Sequence, residues 1–243
     1  MIKFFRKIRQ SLLSEGKTGK YFKYAIGEII LVVIGILIAL GINNWNENRK
    51  SEAKTKQFLI SLKSDLQNDL KAINSVIEDQ NSRSEALLYA IELSDQPDLN
   101  AWILKDSIDY YEAGRNNTFF PTVGSYKEAS NVGLIDNIDH EDLKHSILNL
   151  YEHLYVRVVH NGEILDLRTG QVDWESRRYI DNSKKLLVFD KEALLDKDFI
   201  YQLGYVNRFI GFYLLRCNGT KSGIEAVLMH IDNYLDSEPA IQN

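Results

Sequence analysis

Four of the five histidines, His140, His145, His153 and His160, fall in one stretch, the arrangement in this chain that most suggests a metal or a general base. "HEDLKH" spaces its histidines five residues apart. Two ligands on one helix face need a spacing of four, so the helical zinc-peptidase pattern is missed. His153 and His160 are seven apart and share a helix face with Glu163 nearby, and surface or packing roles explain them without a metal. Cys217 is the one cysteine, which excludes an intramolecular disulfide and a cysteine-rich metal centre. Between Arg216 and Asn218 on an apolar helix, it is expected as a small packing residue. Glycine-rich phosphate loops, nucleophile elbows and dinucleotide fingerprints are missing from the sequence. Arg177 and Arg178, with Trp174 and Tyr179, suit either an anionic ligand or a solvated helix face. The expectation is a non-enzymatic chain without catalytic residues, metal or cofactor.

One further residue has a type that demands explanation. Glu28 stands at the start of "YAIGEIILVVIGILIALGINNWNENRK", which otherwise reads as lipid-facing helix. The span Ala25–Trp45 is about 31 Å long at ~1.5 Å per residue, matching a hydrocarbon core of ~30 Å. Its uninterrupted apolar part, Ile29–Ile42, covers only about 21 Å. Tyr21, Phe22 and Tyr24 before the span and Trp45 after it supply the aromatic interface anchors. The small-x-small triplet Ala39-Leu40-Gly41 resembles a cleavage site, but the apolar run continues into it without a polar break, so an uncleaved signal-anchor is expected. Glu28 then either snorkels toward the headgroups near Lys20 and Lys23 or meets a partner inside the membrane. Gly27, Gly35 and Ala39 are the residues of that partner contact, Gly35 and Ala39 forming a small-xxx-small pair that lets helix backbones approach.

Charge gives the anchor an orientation. The chain has 29 basic and 34 acidic residues, yet residues 1–23 hold seven basic side chains against the single acid Glu15. This asymmetry predicts a cytoplasmic N-terminus and a periplasmic remainder. Lys3, Arg6, Lys7, Arg9, Lys20 and Lys23 form the membrane-surface set. Ile2, Phe5, Ile8 and Leu12 recur at helical spacing among them, as in a short interfacial helix, although a plain orienting charge cluster has the same composition. A basic head on an acidic body points to anionic lipid as a partner and away from nucleic acid.

"KFFRKIRQSLLSEGK" followed by the anchor sequence resembles the N-terminal signature of a bacterial membrane-protein family, common in Bacteroidota, that is classed as a domain of unknown function. "FFPTVGSYKEASNVGLIDNIDHEDLKHSI" resembles that family's middle region. The likeness is strong over the first fifty residues and diffuse beyond. It implies a single-pass inner-membrane protein and carries no activity with it. Asp106-Ser107-Ile108 also resembles the short O-glycosylation acceptor of exported Bacteroidota proteins, which makes Ser107 a candidate modification site.

The elements that must position these residues read as helices throughout. Residues 51–94 lack proline and glycine, and Leu59, Leu62, Leu66, Leu70, Ile73, Ile77, Gln80, Ser84, Leu87 and Ile91 form a heptad-like seam with one stutter. That seam serves either packing within the chain or a self-associating coiled coil. Pro97 breaks the helix, and another is expected over 101–113. "GRNNTFFPTVGS" is a loop suited either to binding or to plugging the bundle through Phe119 and Phe120, and Ser125 is expected to cap a helix to Asn131. Gly133 stops that helix, and Asp139 caps a long one reaching Ile180. The last third is helical, with Asp190 and Asp196 as caps and "CNGTKSG" as a turn or a loosened section.

The resulting architecture is all-α, namely an anchor, a long coiled-coil-like helix and an antiparallel bundle. Its parts are a basic cytoplasmic or interfacial segment (1–23), a transmembrane helix (24–45), a juxtamembrane helix (46–95) and a periplasmic helical domain (96–243). The expected function is a membrane-anchored periplasmic interaction or scaffold protein, a homo-oligomer or a subunit with another inner-membrane or periplasmic protein. The alternatives are an accessory subunit of a sensory or proton-driven complex using Glu28, and a periplasmic enzyme or ligand-binding domain.

Overall fold

The computed structural model describes residues 18–94, 117–176, 179 and 195–237. The protein is all-α, with no strand among those residues. Its elements are α1 (Thr18–Ser94), α2 (Gly124–Asn131), α3 (Glu141–Asn149), a π-helical turn (Leu150–Leu154), α4 (Tyr155–Ser176) and α5 (Lys197–Ser237). Two compact units divide the chain, residues 1–54 and 55–243. The helix expected over 101–113, Ser107, Asp190, Arg177, Arg178, Lys3, Arg6, Lys7 and Arg9 lie outside the described residues.

In the first unit α1 is long and apolar enough to cross a membrane, and the apolar window is wholly unburied. Gly27, Gly35 and Ala39 are exposed, and a Cβ added at either glycine would meet nothing within 4 Å. The chain itself therefore leaves this small-residue face uncovered. Glu28 is half-buried on the same helix, and Lys20 and Lys23 lie in its first turns. At the far end, Asn43 donates to Glu47 at 3.1 Å, one turn further on, and Trp45 is exposed.

In the second unit α1 packs through a strictly alternating series. Leu59, Leu62, Leu66, Asp69, Ile73, Val76, Gln80, Arg83, Leu87 and Ala90 are all buried, in steps of three and four. The expected stutter is absent from this buried line. Choosing apolar residues alone selects Leu70, Ile77 and Ile91, which sit on its flank and are partly buried. Leu70 stands in the expected seam where Asp69 is buried, and Ser84 where Arg83 is buried. This seam is occupied by the chain's own helices.

Pairings between helices fix their directions. Ser84 Oγ donates to Asn207 Oδ1 at 2.7 Å and Lys63 pairs with Asp232 at 2.5 Å, so α5 runs antiparallel to α1. Tyr155 bonds Asp69 and Arg83 bonds Thr169, so α4 runs parallel to α1. A Cβ at Gly162 would touch Tyr213, and one at Gly223 would meet Leu154, so α5 is also antiparallel to α4. The parallel pair requires the chain to return along the bundle between α1 and α3. Residues 117–123 make part of that return without regular structure.

Several local expectations need correction. Ser125 does not cap α2, because its hydroxyl is spent on Asp65 at 2.6 Å and Val123 occupies the cap position without a side-chain bond. His140, rather than Asp139, caps α3, its Nδ1 accepting from the Leu143 N–H at 3.2 Å. The long helix that follows widens into the π turn and runs on to Ser176, and Ile180, its expected end, lies outside the described residues. "CNGTKSG" is neither turn nor break, since α5 runs through it with Cys217 and Thr220 buried. Gly133 does end its segment, in the left-handed region at φ 71°, which suits glycine because no Cβ opposes it. Asp196 caps α5 as expected, accepting from the Asp198 and Phe199 N–H groups.

Candidate functional site

The segment 117–125 is fastened by side chains from three helices. Asn117 lies against Asp79, and its carbonyl accepts from Gln80 Nε2 at 3.0 Å. Thr122 meets Asp69, and Ser125 meets Asp65. From Asn117 to Thr122, five residue steps of loop thus run against ten of α1, about 15 Å at ~1.5 Å per residue. That is ~3.0 Å per loop residue, close to the ~3.3 Å of extended chain. The segment is an extended strap, antiparallel to α1.

Such a strap exposes backbone donors and acceptors that no ladder satisfies, so side chains must do it. Asp69, 2 % exposed, accepts from the Thr122 N–H at 3.0 Å, the Thr122 hydroxyl at 2.8 Å and the Tyr155 hydroxyl at 2.7 Å. The Tyr151 hydroxyl donates to the Thr122 carbonyl at 3.3 Å, and the Phe119 N–H donates to the Tyr213 hydroxyl at 2.7 Å. Thr118 Oγ1 donates to Asp166 Oδ2 at 3.2 Å. Phe119 fills the bundle at 2 % exposure, whereas Phe120 points out at 70 %, so only one of the two plugs the core. Alternation of side chains along extended chain is the reason.

The π turn positions the tyrosines. Leu143, Ile147, Tyr151 and Tyr155 follow in steps of four, all buried. On a regular helix three such steps would drift by about 120° around the axis. The wider turn at Leu150–Leu154 offsets that drift and keeps both tyrosines facing the strap. Tyr126 of α2 stacks on Tyr151 with ring centroids 4.1 Å apart, and Tyr151 meets Tyr155 edge to face at 4.9 Å. Gly162 leaves the space in which the strap lies, since a Cβ there would stand 3.3 Å from Thr118 Cβ and 3.4 Å from Tyr213.

Between strap and helices lies a groove of about 490 Å³, with Pro121 and Val123 on one side, Tyr151, Tyr155 and Val159 on the other, and Lys127, Glu152, His160 and Glu163 at its rim. Burial raises the Asp69 carboxyl above its ordinary range, against the lowering effect of the Tyr155 and Thr122 bonds. Burial, reinforced by the Asp69 charge, raises the Tyr151 and Tyr155 hydroxyls, and Tyr126 is raised by burial and by Glu152. The tyrosines stay neutral donors at physiological pH. Their chemistry is that of fastening, and the groove offers aromatic faces with a few charges at the edge.

The residues singled out in the sequence are distributed elsewhere. Glu28, Gly27, Gly35, Ala39 and Trp45 belong to the other unit. His145 lies 3.7 Å from Glu141, His160 lies 3.9 Å from Glu163, and the His140 ring packs 6.2 Å from that of His230. Among the described residues no three His, Cys, Asp or Glu side chains gather as a metal-holding group. Cys217 is buried, with its thiol pushed up to about 11 by burial. Asp69, Thr122, Tyr151 and Tyr155 were missed in the sequence. The signal for Asp69 is its place in the alternating seam, four residues before Ile73 and three after Leu66.

Searches of curated proteins and of solved structures return no match. A family model does match, covering residues 28–209, three quarters of the chain and including most of the apolar run of α1. The chain belongs to the family of unknown function DUF6090.

Proposed function

We propose that this is a non-enzymatic, membrane-anchored interaction protein. Its N-terminus lies in the cytoplasm, and its helical domain lies in the periplasm, where it associates with its own copies or joins a membrane complex. The observation that carries the reading is the apolar run Ile29–Ile42 of α1, exposed throughout and covered by none of the described residues. Gly27, Gly35 and Ala39 on the same helix favour close helix contact over mere lipid exposure. Glu28 adds a carboxylate whose cost is lowest when it has a protein partner or reaches the headgroups.

The helical domain supports the same reading. Its Asp69, Thr122, Tyr151 and Tyr155 are engaged in holding the strap, which leaves a shaped groove rather than a set of reacting groups. Crosslinked pull-down from native membranes tests the proposal. Specific recovery of a second copy or of one membrane-complex component is expected. Recovery of the protein alone, as a monomer, would remove it.

A further inference from the structure

Among the described residues, α1 and α5 of the bundle expose large apolar side chains side by side. On α5, Tyr201, Arg208, Phe212 and Leu215 recur at helical spacing and are all exposed, Tyr201 by 75 % and Leu215 by 65 %. From Phe199 to Ile224 the sequence has no acid and three basic residues, Arg208, Arg216 and Lys221, in a domain otherwise rich in acids. On α1, Glu78, Glu85 and Glu92 are exposed at intervals of seven, with Leu88 and Tyr89 exposed between them. One helix presents arginine and aromatic residues at heptad spacing, and its neighbour presents glutamates at the same spacing.

The two rows are also in register. The bonds Ser84–Asn207 and Lys63–Asp232 fix which residues of the antiparallel helices are level. On the register midway between those two bonds, Glu85 comes level with Arg208. A two-fold axis running along the bundle preserves these levels and lays α1 of each copy over α5 of the other. Glu85 then faces Arg208 of the second copy at its own height. Residues 60–92 give a face about 50 Å long and ~20 Å across, on the order of 1,000 Å² per copy, against the ~800 Å² per partner of a stable interface.

We propose that the α1/α5 face is where the helical domains of two copies meet, paired by Glu85 with Arg208 across the two-fold axis. This rests on the self-association reading and names its surface in the domain. Gly211 fits that role. It is exposed on the α5 helix interior, a Cβ there would meet nothing within 4 Å, and glycine costs about 1 kcal/mol against alanine in such a position.

The test uses the full chain in membranes, in a Cys217→Ser background, with a short bismaleimide. Leu88 lies on the flank of α1 turned toward α5, close to the proposed axis, so Leu88→Cys is expected to give a crosslinked dimer. Adding Glu85→Arg or Arg208→Glu should each lose that band, and the two together should restore it. A band at Ile36→Cys in the anchor without one at Leu88→Cys would overturn this surface while leaving self-association standing. No band at either site would overturn both. A Leu88→Cys band indifferent to the charge reversals, or a Leu88 thiol that reacts only with a lipid-resident probe, would also overturn it, the latter by assigning the face to the bilayer.

Discussion

Tyr155 donates its hydroxyl to Asp69 at 2.7 Å, joining two helices 86 residues apart in sequence that run parallel in the bundle. Parallel neighbours cannot be joined by a tight turn, so the chain must travel back along them. The strap at 117–125 does so in near-extended form, and Asp69 is the acceptor that lets it be buried.

Removing that acceptor should cost more than removing one of its donors. Asp69→Ala leaves the Thr122 N–H and the Thr122 and Tyr155 hydroxyls without their acceptor, and is expected to lose about 3 kcal/mol. Tyr155→Phe deletes one donor and should lose about 1–2 kcal/mol. Urea midpoints of the full chain in mild detergent check both. Equal losses would deny Asp69 its central role.

Asp69 also sets a pH dependence. Its folded pKa lies above the ordinary 3.8, so the native state binds the proton more readily than the unfolded chain. The contribution of this linkage is fully present below 3.8 and is lost as pH rises through the raised folded value. Stability measured against Asp69→Asn, which has no such titration, should therefore shift in favour of wild type on acidification. Asp166, raised by burial in the same direction, titrates in both proteins and cancels from the comparison. A difference between the two that stays flat with pH would contradict this.

The long helices, the loop and the burial of Cys217 were legible in the sequence because hydrophobic spacing and glycine or proline placement report them directly. The strap's fastening was not. Asp69 sits in "DLQNDL", where a charged residue reads as solvated, and its partners lie 53 and 86 residues away. Reading the seam by residue type selected Leu70 and Ile77, whereas strict alternation of steps would have placed Asp69, Val76 and Arg83 inside. The π turn has no composition of its own. Only the four-step recurrence of Leu143, Ile147, Tyr151 and Tyr155 announces it.

Two glycines of α4 should respond oppositely. Gly162→Val drives a branched side chain into Thr118 of the strap and into Tyr213, and is expected to lose about 2 kcal/mol. Gly170, exposed in the same helix with nothing near its Cβ position, should gain about 1 kcal/mol as Gly170→Ala. Thermal melts of the two variants decide. Insensitivity at Gly162 would mean the strap does not lie against α4.

Cys217 gives a direct probe of the core. Its thiol is buried and pushed up to about 11, so the reactive thiolate is scarce at neutral pH. Labelling by a thiol reagent at pH 8 should be slow in the folded chain and fast in urea. Rapid stoichiometric labelling under native conditions would place Cys217 at the surface.

The central claim is that this chain works through association with its own copies or with a membrane complex. Native mass spectrometry of the full-length protein, released from its membranes in mild detergent, tests it most directly. The account predicts a dimer, a larger oligomer or a defined complex with another membrane or periplasmic protein. A strict monomer, both alone and in extracts that contain its cellular partners, would contradict it.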